Sequence, residues 1–596
     1  MEENSSNFNY SKPKIIVSFL MTLATVLTLT TFVSILNLNE VEALTTVSPQ
    51  CNLINQDPDG ECSVDIDYDG NCSPSTNDCN IAVNINRHPG GGSVNFNPNP
   101  DNELKLHSLL ETGLECSSVK SSWGKAKCLT ASNNDYTSNT IINTDGLAKL
   151  FDNEIHYEGS QQIRDTSGQD NFQAFNRMNQ KVDLATRGAG ATIDTDGAGN
   201  NLILKYKQDI VHPDDTQNRN FGAQAINMFA QDKSTIDTSQ HEELGFYLSQ
   251  TLKDNDDDDG THISSPITTR NEANQVLNVD ARSGATIKYD TLGLSTTTQN
   301  IEDCSFGGGS CTNTAGTTAS PQSGMRTELT ATGAGTLIEV DDLQQLLSQN
   351  IQNFKPSNNK AASNTANTQV VSAVAQQGGQ IDMNTGDSST QKITQAITGT
   401  DSSPLKGNVQ NVAEQRLDVG VAGISVLGTV EASVDQTLQQ SITGARTDGS
   451  SNNGQTLVTL LSKEGPSQLF VEGFDQYLTQ TVSNCIGCSN NGIVTALFEV
   501  EDAATFTLRD GSIQGLTQTV NRDGATTTNT VSSRISVLGD GTEANIGLNQ
   551  QISNTNGGIA GSQNGPSNFQ ATYTADANQQ CNISTVGTFT PTTSCS

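Results

Sequence analysis

Aromatic side chains make up 5% of this 596-residue sequence, with one tryptophan, Trp123, and hydrophobic residues reach only 33%. Several thick globular cores cannot be filled from that stock, because such cores are built from large apolar side chains. Cations are scarce too: 31 Lys and Arg stand against 65 Asp and Glu, a formal net charge of −34. That balance argues against a nucleic-acid partner, since phosphates are bound by neutralising cations. The six histidines, His88, His107, His156, His212, His241 and His262, fall in no metalloprotease spacing, and His241-Glu242 lacks its second histidine. No Gly-x-Ser-x-Gly elbow and no phosphate-cradling loop occurs. No catalytic residue is legible. A pair of acids for sugar chemistry, drawn from different parts of the fold, would be an arbitrary choice among so many carboxylates.

What the sequence does hold is a repeated strand pattern, cleanest as Leu438-Gln439-Gln440-Ser441-Ile442. Residues two apart on a strand share a face, so the central glutamine lies beside two apolar neighbours on what should be the buried side. The pattern recurs around Gln208, Gln250, Gln299, Gln349, Gln395, Gln480, Gln518 and Gln550. One buried glutamine is costly, whereas a column of them lets each amide bond to the next. Successive spacings are 42, 49, 50, 46, 45, 40, 38 and 32 residues, so length varies while the strand cores hold. A solenoid tolerates this, because loops project from its side without disturbing the stack. The expected fold is therefore all-β, a parallel β-helix (β-solenoid) behind a small disulfide-rich N-terminal module. An array of β-sandwich domains is the alternative.

Three strands per repeat are expected. The first carries Gln180, Gln224, Gln275, Gln369, Gln415 and Gln455, with Thr327 replacing glutamine once. The second reads as Ala191-Thr192-Ile193-Asp194, Ser234-Thr235-Ile236-Asp237, Ala285-Thr286-Ile287-Lys288, Gly379-Gln380-Ile381-Asp382 and Gly423-Ile424-Ser425-Val426. The third is the glutamine strand already described.

Residues 1–43 read as an export signal: Lys12 and Lys14 precede an apolar and threonine run from Ile15 to Leu36, and Val41-Glu42-Ala43 offers small residues for cleavage. The run is also long enough to stay in a bilayer as an anchor. The expected location is extracellular or on the cell surface. Residues 44–139 form the acidic, cysteine-rich module and its linker, with a short helix expected from Asp101 through Leu104, Leu106, Leu109 and Leu110 to Gly113. Residues 140–580 hold the repeats, and 581–596 a C-terminal cap.

The twelve cysteines fall into local sets, as expected of a disulfide framework in an oxidising compartment. Cys116 with Cys128, Cys304 with Cys311, Cys485 with Cys488 and Cys581 with Cys595 are the expected pairs, while Cys51, Cys62, Cys72 and Cys79 leave their connectivity open. Cys304 and Cys485 each lie five residues after a ladder glutamine, which suggests one loop type used twice. Calcium is the one cofactor suggested, at Asp65, Asp67 and Asp69 ahead of Gly70, although Thr76 stands where an EF-hand needs glutamate. The run Asp256-Asp257-Asp258-Asp259 reads as a solvated loop.

The strands around Gln395, Gln440, Gln480 and Gln518 resemble curlin repeats, subunits of bacterial biofilm fibres in which stacked strands align their amides. The resemblance covers about the C-terminal two thirds and implies an amide-laddered solenoid and self-association into fibres. The loops here are longer and irregular. The function expected is a structural or adhesive surface protein facing an extracellular surface, matrix or polysaccharide. A carbohydrate-binding or polysaccharide-degrading β-helix and a self-assembling fibre subunit are the alternatives.

Overall fold

The computed structural model describes strand segments between residues 45 and 586, and side chains in segments between residues 175 and 519. Packing divides the chain into Met1–Thr45 and Thr46–Ser596, and the description below concerns the second unit. The described residues are all-β, with parallel strands in two sheets, an arrangement compatible with a β-solenoid.

The chain alternates between the sheets. Sheet A takes one long strand from each repeat, for example Gln173–Arg187, Gln217–Gln231, Thr268–Arg282, Ala361–Gln376 and Asn408–Ala422. Sheet B takes a short strand and then a longer one, such as Thr235–Asp237 followed by Glu243–Lys253. From Thr429–Thr443 onward the two segments of sheet B merge into one strand, interrupted by bulges at Ala432/Ser433, Val471/Asp475 and Leu508/Ser512. The three-strand reading of the repeat thus resolves into two sheets, with the second and third strands sharing one of them. Pairing takes in Asp78–Asn86 and Lys105–Glu115 ahead of residue 140, and Gln580–Val586 after residue 580.

Alternation explains the strands. Threonine, valine and isoleucine favour extended backbone, and every second side chain turns inward, as in the intermediate–buried alternation of Thr286–Tyr289. Columns of like residues result: Ile193, Ile236, Ile287, Ile338 and Ile381 lie in register along sheet B, all buried. Such apolar columns, alternating with buried amides, fill the core from a modest hydrophobic stock.

Four expectations are corrected. Residues 105–115 form a strand rather than part of a helix, because Leu106, Leu110 and Leu114 also share one strand face and pair with Glu154–Arg164. The short strand opposite Ile381 is centred on Val430, not on Ile424. Gln455 pairs with Glu414, so Thr456 occupies the column of Gln415. Opposite Gln275 stands Met325, while Thr327 faces Leu277.

Length does not vary only between strands either. The sheet A strand of one repeat is split into Ser310–Ala315 and Met325–Thr332, both paired with Thr268–Arg282. The chain leaves at Gly316, whose N–H donates to Ala273 O at 3.1 Å, and returns at Gly324, whose carbonyl accepts from Gln275 N at 2.9 Å.

The turn from sheet A into the short strand of sheet B is tight and uses left-handed backbone. Gly188, Gly284 and Gly465 adopt positive φ, and so do Asp232, Lys233, Ser283, Gln377, Glu464, Asp502 and Ala503.

Candidate functional site

The distinctive chemistry of the described residues lies inside, between the sheets. In sheet B, Gln208, Gln250, Gln299, Gln349, Gln395, Gln440, Gln480 and Gln518 are in register and buried. Each amide Nε2 donates to the Oε1 of the preceding repeat at 2.7–2.8 Å, from Gln250 to Gln208 through Gln518 to Gln480. The second hydrogen of Nε2 crosses to a carbonyl of sheet A: Gln250 to Glu272 O at 2.7 Å, Gln395 to Val412 O at 2.9 Å and Gln440 to Asn453 O at 3.0 Å. One side chain therefore ties two repeats and two sheets together.

Gln550 is corrected: by register it faces Gln514, and Asn554 faces Gln518. It continues a second glutamine column, Gln345, Gln391, Gln436, Gln476 and Gln514, bonded in the same sense at 2.7–3.2 Å. Ser295 and Phe246 occupy this column in earlier repeats.

A further column went unread in the sequence. Asn176, Asn220, Asn271, Asn313, Asn364, Asn411, Asn452 and Asn490 stack along sheet A, with side-chain bonds of 2.9–3.0 Å. Here each Nδ2 donates to the following repeat, the reverse of the glutamine column. Its other hydrogen crosses to sheet B, as from Asn364 to Ala396 O at 2.9 Å and from Asn411 to Ser441 O at 3.0 Å. The available signal was the spacing Asn-x-x-x-Gln at Asn176/Gln180, Asn220/Gln224, Asn271/Gln275 and Asn411/Gln415. In so asparagine-rich a chain it has little contrast.

Glutamines of sheet A form a shorter run. Gln224 donates to Gln180 and Gln275 to Gln224, both at 2.9 Å, and Met325 ends the run. The Oε1 of Gln275 is left buried without a partner.

Charged groups lie on the outer faces. Glu272 is buried and paired with both Arg219 and Arg270, Arg326 pairs with Glu328, and Arg416 with Asp418 at 2.5 Å. Burial pushes the Glu414 carboxyl above the usual range. Asp475 is pushed up by burial and by Asp435, in register on the adjacent strand, against the opposing pull of the Ile513 N–H. Burial, with help from Glu499, raises Glu501 beside Lys463.

Cys311 and Cys488 are buried, each two residues ahead of a ladder asparagine. Among the described residues no cysteine is a free thiol. Their expected partners Cys304 and Cys485 lie outside the described residues, as do Cys116, Cys128, Cys595 and the calcium candidates Asp65, Asp67 and Asp69. Cys581 is placed by backbone register opposite Ala544. Among the described residues no group of three or more His, Cys, Asp or Glu is placed to hold a metal ion, and no helix is long and apolar enough to cross a membrane. No family model, curated protein or solved structure matches the chain.

Proposed function

We propose that the chain is an exported structural protein, a β-solenoid that holds variable loops on a stiff support at or outside the cell surface. The observation that carries this reading is the unbroken pairing of amides, Gln208 to Gln518 and Asn176 to Asn490, through repeats whose connecting loops differ in length. The amides from Gln250 to Gln480 spend both hydrogens on fixed partners, so displacing one strand strands several polar groups in the core. Such a stack resists bending and shear while its loops are free to diversify.

In this reading the N-terminal run exports or anchors the chain. The cysteine-rich module, with calcium at Asp65, Asp67 and Asp69, serves attachment. Cys304–Cys311 and Cys485–Cys488 staple loops, and Cys581–Cys595 closes the cap. The loops and outer faces meet an extracellular surface, matrix or polysaccharide.

Electron micrographs of the purified secreted chain test the proposal. Extended particles are expected, lengthening by about 4.8 Å per repeat, the spacing of adjacent strands. A string of compact beads would replace it with the sandwich array.

A further inference from the structure

Across the strands Gln173–Arg187, Gln217–Gln231 and Thr268–Arg282, the outer face of sheet A inverts the charge balance of the chain. Six cations sit at outward positions, Arg177, Lys181, Arg187, Arg219, Arg270 and Arg282, against three carboxylates, Asp183, Glu272 and Asp280. The sequence as a whole has 31 Lys and Arg to 65 Asp and Glu. All three carboxylates are already paired: Asp183 with Lys181 at 2.6 Å, Asp280 with Arg282 at 2.5 Å, and Glu272 with Arg219 and Arg270. Asp135 of the preceding strand is in register with Arg177. The cations nonetheless face water, the side chains of Arg219, Arg270 and Arg282 being 45%, 40% and 38% exposed.

They are also held in place. Arg177 and Arg219 lie 5.8 and 5.5 Å from the ring centre of Phe221, and Arg187 and Arg282 each lie 5.5 Å from that of Phe229. A guanidinium fixed over an aromatic ring loses less freedom when it meets an anion. The two phenylalanines stand eight residues apart on the central strand, about 26 Å at 3.3 Å per residue. Between them that strand turns out only Ala223, Ala225 and Asn227. The strand on one side carries Asn179, Lys181 and Asp183, and the strand on the other Asn274, Val276 and Asn278. The result is a shallow trough, low along its middle, with an arginine–phenylalanine cluster at each end.

We propose that this trough binds a linear anionic polysaccharide, whose carboxylate or sulfate groups seat on the two clusters while its backbone runs over the alanines. Guanidinium groups pair with both kinds of oxyanion in fork geometry. An extended chain reaches both clusters over two alanines and Asn227, whose side chain is tied sideways to Asp183 and Asn278. The chain's overall negative charge does not forbid this, because at physiological ionic strength charges beyond about 8 Å are largely screened and the local cations decide. This narrows the polysaccharide of the reading above to an anionic one at a stated face, and rests on that reading for export.

Titration calorimetry of the full chain with dextran sulfate, polygalacturonate and neutral dextran, at low and physiological salt, provides the test. One or both polyanions are expected to bind, more weakly as salt rises, and dextran not to bind. Arg177→Gln with Arg187→Gln, both at exposed positions, should weaken binding roughly tenfold, the loss of about 1.4 kcal/mol, with an unchanged circular dichroism spectrum. Lys205→Gln with Lys207→Gln, which removes the same charge from exposed positions on sheet B, should leave the affinity unchanged. Absence of polyanion binding overturns the proposal, and so does an equal loss in the sheet B variant. Salt-sensitive self-association in sedimentation, lost in the sheet A variant alone and with no polyanion bound, reassigns the patch to a second copy. The micrographs can retain their extended particles whatever the titration shows, so the two proposals fail separately.

Discussion

Gln440 donates its amide hydrogen to Gln395 at 2.8 Å, back toward the N-terminal repeats, and accepts in turn from Gln480 at 2.8 Å. With the second hydrogen on Asn453 O, the side chain is satisfied on three sides while fully enclosed. That relationship sets what substitution at the position should do.

Gln440→Leu keeps the volume and leaves Gln395, Gln480 and a sheet A carbonyl short of partners, at about 1–3 kcal/mol for each stranded group that fails to relax. Gln440→Glu keeps the acceptor and loses both donors, and in addition buries a charge. Glutamate is expected to be the worse of the two at neutral pH. Its deficit should shrink in acid, where a carboxyl of raised pKa takes up a proton and regains a donor. Hydrogen exchange of the repeats on either side reads the loss locally, as suits a stack whose units interact chiefly with their neighbours. Equal protection in the two variants at neutral pH would contradict an enclosed ladder.

Met325→Gln should stabilise. The new amide stands in register with Gln275, whose Oε1 is buried and unpartnered, and would extend the direction already set by Gln275 and Gln224. A gain of about 1 kcal/mol is expected, the net worth of one hydrogen bond. Thermal unfolding checks it. A lower midpoint would mean that the thioether packing at Met325 outweighs the bond.

Asp475→Asn tests the raised carboxyl. Asp475 faces Asp435 on the adjacent strand, and the folded protein holds its proton more tightly than the unfolded chain does. A group of that kind contributes stability below its unfolded pKa, and the contribution is lost as pH rises through the folded value. Asparagine keeps an acceptor for the Ile513 N–H, now given to Asp475 Oδ1 at 3.1 Å. The variant should therefore melt higher than the parent at neutral pH and with it in strong acid.

Backbone geometry supplies a pair of opposed substitutions. Ala503 holds φ +63° in the turn out of sheet A, a conformation that costs an L-residue roughly 1–2 kcal/mol, so Ala503→Gly should raise the melting point. At Gly379 a Cβ would fall 2.4 Å from Ala331 O, a backbone atom that cannot swing aside. Gly379→Ala should destabilise markedly, and more than Gly190→Ala, where nothing stands within 4 Å.

Much of this architecture could be read ahead of the structure, and the misreadings share a cause. The glutamines of sheet B stood out because each sits between two apolar residues at a spacing of two, a pattern loops rarely produce. The asparagines of sheet A carry equal weight but do not stand out in the sequence, because asparagine also crowds the turns. Counting residues from one glutamine to the next identifies a repeat but does not fix register. Spacing alone accordingly puts Gln455 and Gln550 in columns they do not occupy, and only pairing with Glu414 and Gln514 places them. Closely spaced leucines suggest a helix from Asp101 to Gly113, whereas pairing with Glu154–Arg164 makes Lys105–Glu115 a strand. The trough on sheet A needs three strands side by side, a relation between residues some forty to fifty positions apart that linear reading does not supply.

The excursion between Gly316 and Gly324 separates counting from alignment in another way. Asn313 and Met325 are twelve positions apart, whereas their partners Asn271 and Gln275 on one side are four apart and Asn364 and Gln369 on the other are five apart, yet both ends stay in register. Alignment is kept by columns of side chains, and the number of residues between them is free to change. For a gene, that makes the spot forgiving: a codon insertion that would shear an ordinary strand out of phase is absorbed between Gly316 and Gly324, and the frame on either side is inherited intact.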